Sequence, residues 1–236
     1  MSIILHDECA HGRLGNQLLQ NIGLSVLAKK YDLMPFYHPL TAECAQLGFN
    51  LFRGGRYILQ NIVHHADANL GTILQSNEPV DHGIIYNGYF QMKELTSDHR
   101  ELVEEVVVKQ QITHPGQVFV HVRLDDVERF NPGINYYRTA LSKIPTSSGV
   151  ISSDSPNNQL VKMLANEFQL QIYNNNPMEV LLEGASYEYR IVSGGSFSWL
   201  IGFLGNNDNV IHPMYTHSRV YYGDMFTCPQ WQSLPY

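Results

Sequence analysis

Charge is scarce in this chain. Only 16% of its 236 residues are Asp, Glu, Lys or Arg, against 44% hydrophobic. That balance builds a globular core and excludes a disordered chain. The length allows one large domain or two small ones. The charge present leans acidic, with 22 carboxylates against 15 Lys and Arg, a formal −7. A broad basic face for nucleic acid is thereby excluded, although a local basic pocket for a nucleotide is not. Cysteine is nearly absent: Cys9, Cys44 and Cys228 are odd in number and far apart. They exclude a disulfide framework and a zinc site and point to a reducing compartment. No apolar run approaches the roughly 20 residues needed to span a bilayer. The opening Met1-Ser2-Ile3-Ile4-Leu5-His6-Asp7 reaches an acid too early for a signal peptide. A cytoplasmic setting (bacterial, viral or cytosolic) is expected, with at most peripheral membrane contact.

Internal repeats and low-complexity tracts are also missing. The apolar run Ile3 to His6 reads as a short buried strand. A glycine-bearing loop from Ala10 to Gly15 follows, then a helix from about Asn16 to Tyr31. Its Leu18, Leu19, Ile22 and Val26 share one face at helical spacing. Strand, glycine loop, helix is how a nucleotide-binding α/β unit opens. Residues 35–80 carry no readable period. Ile84 to Phe90 reads as a strand and Thr96 to Gln111 as a helix, with Glu101, Glu104 and Glu105 on its wet side. His114-Pro115-Gly116 reads as a break, which divides the chain into domains at 1–113 and 114–236.

Beyond that break, strands and helices alternate. Strands are expected at Val118 to Val122, Gly149 to Ser153, Gln171 to Tyr173, Arg190 to Ser193 and Asn209 to His212. Helices are expected at Asn135 to Lys143, Asn157 to Phe168, Met178 to Ala185 and Ser196 to Leu204. Such alternation predicts a parallel sheet covered on both faces. Ligands bind those sheets beyond the carboxyl ends of the strands, so the loops after Val122, Ser153 and Ser193 are the candidates.

The first loop holds His121-Val122-Arg123-Leu124-Asp125-Asp126. Alternation puts His121 and Arg123 on one face. An arginine there can fork two donors onto a diphosphate and stabilise the charge that a leaving nucleoside diphosphate gains. The plainer alternative is a structural pair with Asp125 or Asp126. In Ser193-Gly194-Gly195-Ser196-Phe197-Ser198-Trp199, a glycine turn starts a helix whose free N–H groups suit phosphate; alternatively Ser196 simply caps that helix. Gly12-Arg13-Leu14-Gly15-Asn16-Gln17 lacks the Lys-Ser/Thr of a P-loop and is no dinucleotide fingerprint. Its glycines permit close backbone approach; otherwise Asn16 caps an ordinary turn. Asp154, in Ser152-Ser153-Asp154-Ser155, suits a ribose or base, or else caps the helix starting near Pro156. The 11 histidines are scattered, and His64-His65 is too isolated for a standard metal site. Asp125-Asp126 could imitate a metal-holding pair, but Arg123 beside it favours a metal-free cationic site.

In order along the chain, these loops resemble the α-1,2-fucosyltransferase family and the wider protein O-fucosyltransferase superfamily. Gly12, Arg13-Leu14-Gly15-Asn16-Gln17, Gly88-Tyr89-Phe90-Gln91, His121, Arg123 and Asp126, Tyr136-Tyr137, Ser153-Asp154 and Gly195-Ser196-Phe197-Ser198-Trp199 follow that family's sequence of motifs. Departures are Leu124 for its second Arg, Asp125 for Gly, Ser155 for the second Asp, and Leu200 and Ile201 for Trp-Gly. The resemblance implies an α/β fold of GT-B type, two Rossmann-like domains facing a cleft. The amino-terminal domain would lie on the acceptor side and the carboxy-terminal one would bind the donor. It implies an inverting transfer of L-fucose from GDP-fucose to a glycan hydroxyl, with no metal and no other cofactor. Carried over by position, Arg123 would hold the diphosphate and His121 would approach the nucleoside. Asp154 would contact guanosine, Ser196, Phe197 and Ser198 would hold phosphate, and Gly12, Gly15 and Asn16 would close on the donor. Asp126, or else Glu128, is the candidate base. The partners expected are a nucleotide-sugar donor and a glycan acceptor. Alternatives are an inactive GDP-sugar or glycan-binding protein, or a transferase of another GDP-sugar. An oxidoreductase would need a glycine spacing that Gly12 and Gly15 do not provide. A glycoside hydrolase would need a carboxylate pair that no spacing here identifies.

Overall fold

The computed structural model describes residues 3–5, 12–37, 39–58, 60–146, 148–214 and 224–236. Cys9, the end of the first expected strand at His6, and the Ala10–His11 part of the first glycine loop lie outside the described residues. The chain forms two units, Met1–Val108 with Gly223–Cys228, and Lys109–Tyr222 with Pro229–Tyr236.

In the first unit, β1 (Ile3–Leu5), β2 (Pro35–Phe36), β3 (Val63–Ala66) and β4 (Ile84–Asn87) pair in parallel in the order β2-β1-β4-β3. Helix α1 (Leu14–Tyr31) starts two residues before the expected Asn16 and ends on Asp32 in the left-handed region, with Lys29 and Lys30 in its last turn. Cations there suit the negative end of the helix dipole. Leu18, Leu19, Ile22 and Val26 are buried, but so are Gln20, Asn21 and Ser25. Those three have partners: Gly88 O for Gln20, Cys44 Sγ for Asn21 and Phe52 N–H for Ser25. The helix is therefore enclosed on more than one side, which a single apolar stripe does not reveal. Residues 35–80 hold β2, β3, α2 (Thr41–Gln46) and α3 (Leu70–Gln75), all too short to show a period. The helix expected over Thr96 to Gln111 is instead α4 (Lys93–Thr96) followed by α5 (Arg100–Glu104). Strand β4 stops at Asn87, and Phe90 turns into the left-handed region at φ 57°.

In the second unit, the elements are β5 (His114–Val122), α6 (Ile134–Ser142), β6 (Gly149–Ser153), α7 (Gln159–Glu167), β7 (Gln171–Ile172), α8 (Pro177–Ala185), β8 (Tyr187–Ile191), α9 (Ser196–Leu204), β9 (Val210–Pro213) and β10 (Gln232–Leu234). All six strands are parallel, in the order β10-β9-β8-β5-β6-β7. Counted within the unit this is 6-5-4-1-2-3, the doubly wound Rossmann order. Val118, Val120 and Val122 face a core shared with Tyr137, Ala140, Val161 and Leu164 of α6 and α7. On the other face, Phe119 meets Gly184 of α8 so closely that a Cβ there would overlap its ring. His114-Pro115-Gly116 is not a break. It begins β5, and the register against β8 shifts between His114 and Val118. Gly116, at φ 71°, supplies the irregularity, as a glycine does in many β-bulges. Pro115 then costs no regular ladder bond.

Candidate active site

The Rossmann order places a topological switch point between β5 and β8. After β5 the chain goes to α6 on one face; after β8 it goes to α9 on the other. The chain leaves the two strands toward opposite faces, the place where doubly wound sheets bind ligands beyond their carboxyl ends. Where the ladder runs out, a side chain takes over: Ser193 Oγ accepts the backbone N–H of Arg123 at 2.9 Å.

Arg123 leaves β5 on the same side as His121. Its guanidinium is met by two carboxylates: Nη2 donates to Asp126 Oδ1 at 2.7 Å, and Nη1 to Asp154 Oδ2. The Arg123 side chain is 18% exposed, Asp154 19% and Asp126 52%, so Asp154 is the more desolvated partner. Asp154 also accepts Leu124 N–H at 2.9 Å. The same loop is tied from beyond by Asn131, whose Nδ2 donates to Arg123 O at 2.8 Å and to Tyr137 Oη at 3.0 Å. Thus the structure brings together the loops after Val122, Ser153 and Ser193. The structural pairing of Arg123 involves Asp126 and, across two strands, Asp154.

The capping alternatives do not describe these residues. Helix α7 is capped by Asn158, which accepts from Leu160 N–H, and not by Asp154. Helix α9 begins at Ser196 after Gly195 at φ 90°, with no side-chain cap. Ser196 is thus the first residue of the helix and not its cap. Helix α1 has Arg13 at its cap position, also without a side-chain capping bond. Asn16 instead accepts from Gln91 Nε2 at 2.9 Å, and Gln17 Nε2 donates to Gly12 O at 2.5 Å. Gly15 is buried in the first turn of α1. The Gly12–Gln17 and Gly88–Gln91 motifs therefore meet within the first unit. Asp67, which sequence reasoning missed, organises the second: it accepts from Tyr86 Oη, Tyr89 N and Phe90 N, each at 2.9 Å. A Cβ on Gly88 would collide with that carboxylate.

His121 is 3% exposed and lies 5.2 Å from the Phe197 ring, centroid to centroid. Burial, aided by the charge of Arg123, pushes its pKa down to about 3, so the ring is neutral near pH 7. Its Nδ1 is 2.7 Å from Ser198 Oγ, which is 3.2 Å from Ser193 Oγ. Ser198 is fully buried and engaged by these two neighbours. Ser193 and Tyr137, absent from the sequence-based site, are fully buried beside it. The sequence offers Ser193 in the turn before α9 and Tyr137 in the Tyr136-Tyr137 match, without a role for either.

Asp125, Asp126 and Asp154 offer oxygens within 4.8 Å of one another. Arg123 occupies two of the three carboxylates. A separate groove of about 480 Å³ in the first unit is lined by Ser25, Lys29, Phe49 and Arg53 among others; it contains no residue singled out by the sequence. No described helix is long and apolar enough to cross a membrane.

No protein-family model matches the chain, and no curated protein matches it. Among solved structures, POFUT1 in complex with GDP-fucose aligns over 99% of this chain and 97% of that one, at 11% identity and a TM-score of 0.41. A TM-score that low does not establish a shared fold.

Proposed function

We propose that the second unit binds the GDP moiety of an activated sugar and that the chain is an inverting, metal-independent glycosyltransferase. The specific form proposed is an α-1,2-fucosyltransferase moving L-fucose from GDP-fucose to a glycan hydroxyl. The observation that carries the reading is Arg123 at the switch point of a 3-2-1-4-5-6 sheet, beside the first turn of α9. The ordered motifs add the identity of the nucleotide and sugar. The two units then correspond to the two halves of a GT-B type fold.

In this reading, Arg123 and the first N–H groups of α9, at Ser196 and Phe197, receive the diphosphate. An acceptor oxygen attacks the anomeric carbon as the bond to the diphosphate breaks. The hydroxyl proton passes to a carboxylate, Asp126 or Glu128, and GDP departs with the bonding pair. The charge that grows on the departing oxygen is what a fixed guanidinium stabilises. Asp154 is assigned to guanosine, and Gly12, Gly15 and Asn16 to the donor, by the motifs alone. A second reading, a GDP-sugar or glycan-binding protein without turnover, draws on the carboxylates that already engage both Nη atoms of Arg123.

A thermal-shift series with GDP, UDP and NAD tests the proposal. A ligand at 100 times its dissociation constant stabilises by about 2.7 kcal/mol, so GDP should raise the melting temperature well above the other two. Equal stabilisation by UDP sinks the assignment. Hydrolysis of GDP-fucose by the purified chain separates the enzyme from the binding protein.

A further inference from the structure

At the switch point runs a line of buried hydroxyls whose hydrogens can be counted. Asn131 Nδ2 is an amide nitrogen and only donates, so Tyr137 Oη accepts from it. Tyr137 is fully buried. Ser193 Oγ accepts from Arg123 N–H, which also only donates. Ser193 then contacts Ser198, and Ser198 contacts His121 Nδ1.

Two orientations of this line are conceivable. In the first, Ser193 donates to Ser198, and Ser198 to His121 Nδ1. Both serine hydrogens then have an acceptor. In the second, His121 Nδ1–H donates to Ser198 and Ser198 to Ser193. Ser193 Oγ then accepts twice, from Arg123 N–H and from Ser198, and its own hydrogen is left in the core with no hydrogen-bond acceptor among the described residues. A buried polar group left unpaired costs more than an ordinary hydrogen bond contributes. The first orientation therefore wins, and the fixed donor Arg123 N–H imposes it from outside the line.

We infer that this line locks His121 as the imidazole protonated at Nε2, with Ser193 and Ser198 as positioning residues. The ring's one donor is thus Nε2–H, and Nδ1 is committed to Ser198. Whatever His121 meets at the switch point must be a hydrogen-bond acceptor, such as a phosphate or carbonyl oxygen. His121 is then a fixed neutral donor and not a general base. Its suppressed protonation agrees with this but does not decide the tautomer. Ser198 cannot lend its hydroxyl to a phosphate without releasing His121. The inference goes beyond the proposed activity and does not depend on which nucleotide the site takes.

Long-range proton–nitrogen NMR on the full chain, labelled at the histidine ring nitrogens, tests it without any ligand. His121 is identified by the signals that vanish in His121→Gln. In the wild type, Nδ1 should show the unprotonated shift and Nε2 the protonated one, with a tautomer ratio above about 10 to 1. That pattern should hold from pH 5 to 8. Tyr137→Phe should keep it, because Arg123 N–H still orients the two serines. Ser198→Ala should release it into a mixture of tautomers. A protonated Nδ1 in the wild type overturns the inference, as does an unchanged pattern in Ser198→Ala. Should Ser198→Ala fail to fold, the wild-type spectrum alone decides.

Discussion

Asp154 Oδ1 accepts the backbone N–H of Leu124 at 2.9 Å, while Oδ2 of the same carboxylate holds the Arg123 guanidinium. Asp154 thus secures both a backbone and a side-chain end of the loop after β5, from a position that is mostly desolvated. Asp126 holds Arg123 from the solvent side. Asp154→Ala should therefore cost about 1.5 to 3 kcal/mol in urea unfolding, the range for hydrogen bonds to charged groups. Asp126→Ala should cost under about 1 kcal/mol, as exposed pairs do. Equal losses would remove the distinction. Asp126→Asn should tighten GDP binding while slowing transfer, because it removes a negative charge beside the diphosphate and also a candidate base. Weakened binding in calorimetry would show that Asp126 does not compete for Arg123.

Arg123→Lys should not rescue activity. Guanidinium can give two parallel hydrogen bonds to a diphosphate, whereas ammonium is a compact point charge on a different stem. Loss of one preorganised donor usually lowers turnover about 100- to 1000-fold, roughly 3 to 4 kcal/mol. Turnover should fall further than GDP affinity, which marks an interaction strongest in the transition state. Steady-state transfer and GDP titration on wild type, Arg123→Lys and Arg123→Ala provide the measurement. Turnover of Arg123→Lys within about threefold of wild type, or roughly 0.7 kcal/mol, removes Arg123 from the centre of the site.

Transfer should survive EDTA. Asp125, Asp126 and Asp154 are close enough to share an ion, but Arg123 already supplies positive charge to two of them. A magnesium-reversible loss of transfer in EDTA would instead assign the three carboxylates to a metal.

Acid should unfold the chain through two buried histidines. Burial holds the pKa of His121 at about 3 and that of His212 at about 4. An unfolded histidine titrates near 6.5. Between those values the unfolded chain binds more protons than the folded one, so stability falls as pH falls from about 6.5. Each ring contributes a slope of up to about 1.4 kcal/mol per pH unit. Urea midpoints from pH 7 to pH 5 should show that decline, and His121→Gln should lose one ring's share of it. A wild-type slope in His121→Gln would show that His121 protonates freely in the folded chain.

The alternating strands and helices after residue 117 were legible because each is a compact run bounded by polar or glycine residues. The crossing from β7 to β8 that creates the Rossmann order was not, since nothing local in Pro177–Ala185 tells α8 which face to cover. Strand β10 was missed because three residues, Gln232–Leu234, carry no period. Arg123 stood out by charge in an otherwise apolar strand end. Its partner Asp154 stood out as a strand-end acid and in the Ser153-Asp154 match, but the pairing needed β5 and β6 to be neighbours. Asp67 was invisible, and Ser193 and Tyr137 were quoted in motifs without a role, because all three act through contacts between distant segments. A serine after a strand has the same appearance whether or not it bridges the next one.

The path of the chain has a practical consequence for dissecting the protein. The polypeptide passes from the first unit to the second after Val108, returns for Gly223–Cys228, and enters the second unit again at Pro229. No single cut therefore releases either unit whole. A fragment ending at Val108 lacks Asp224, whose carboxylate accepts from Lys93 N–H at 2.8 Å, and Met225, whose carbonyl accepts from Thr96 Oγ1 at 2.9 Å. A fragment starting at Lys109 and stopping at Tyr222 lacks β10 and exposes the side of β9 that it covers. Isolating the second unit requires joining Tyr222 to Pro229 across the six excised residues.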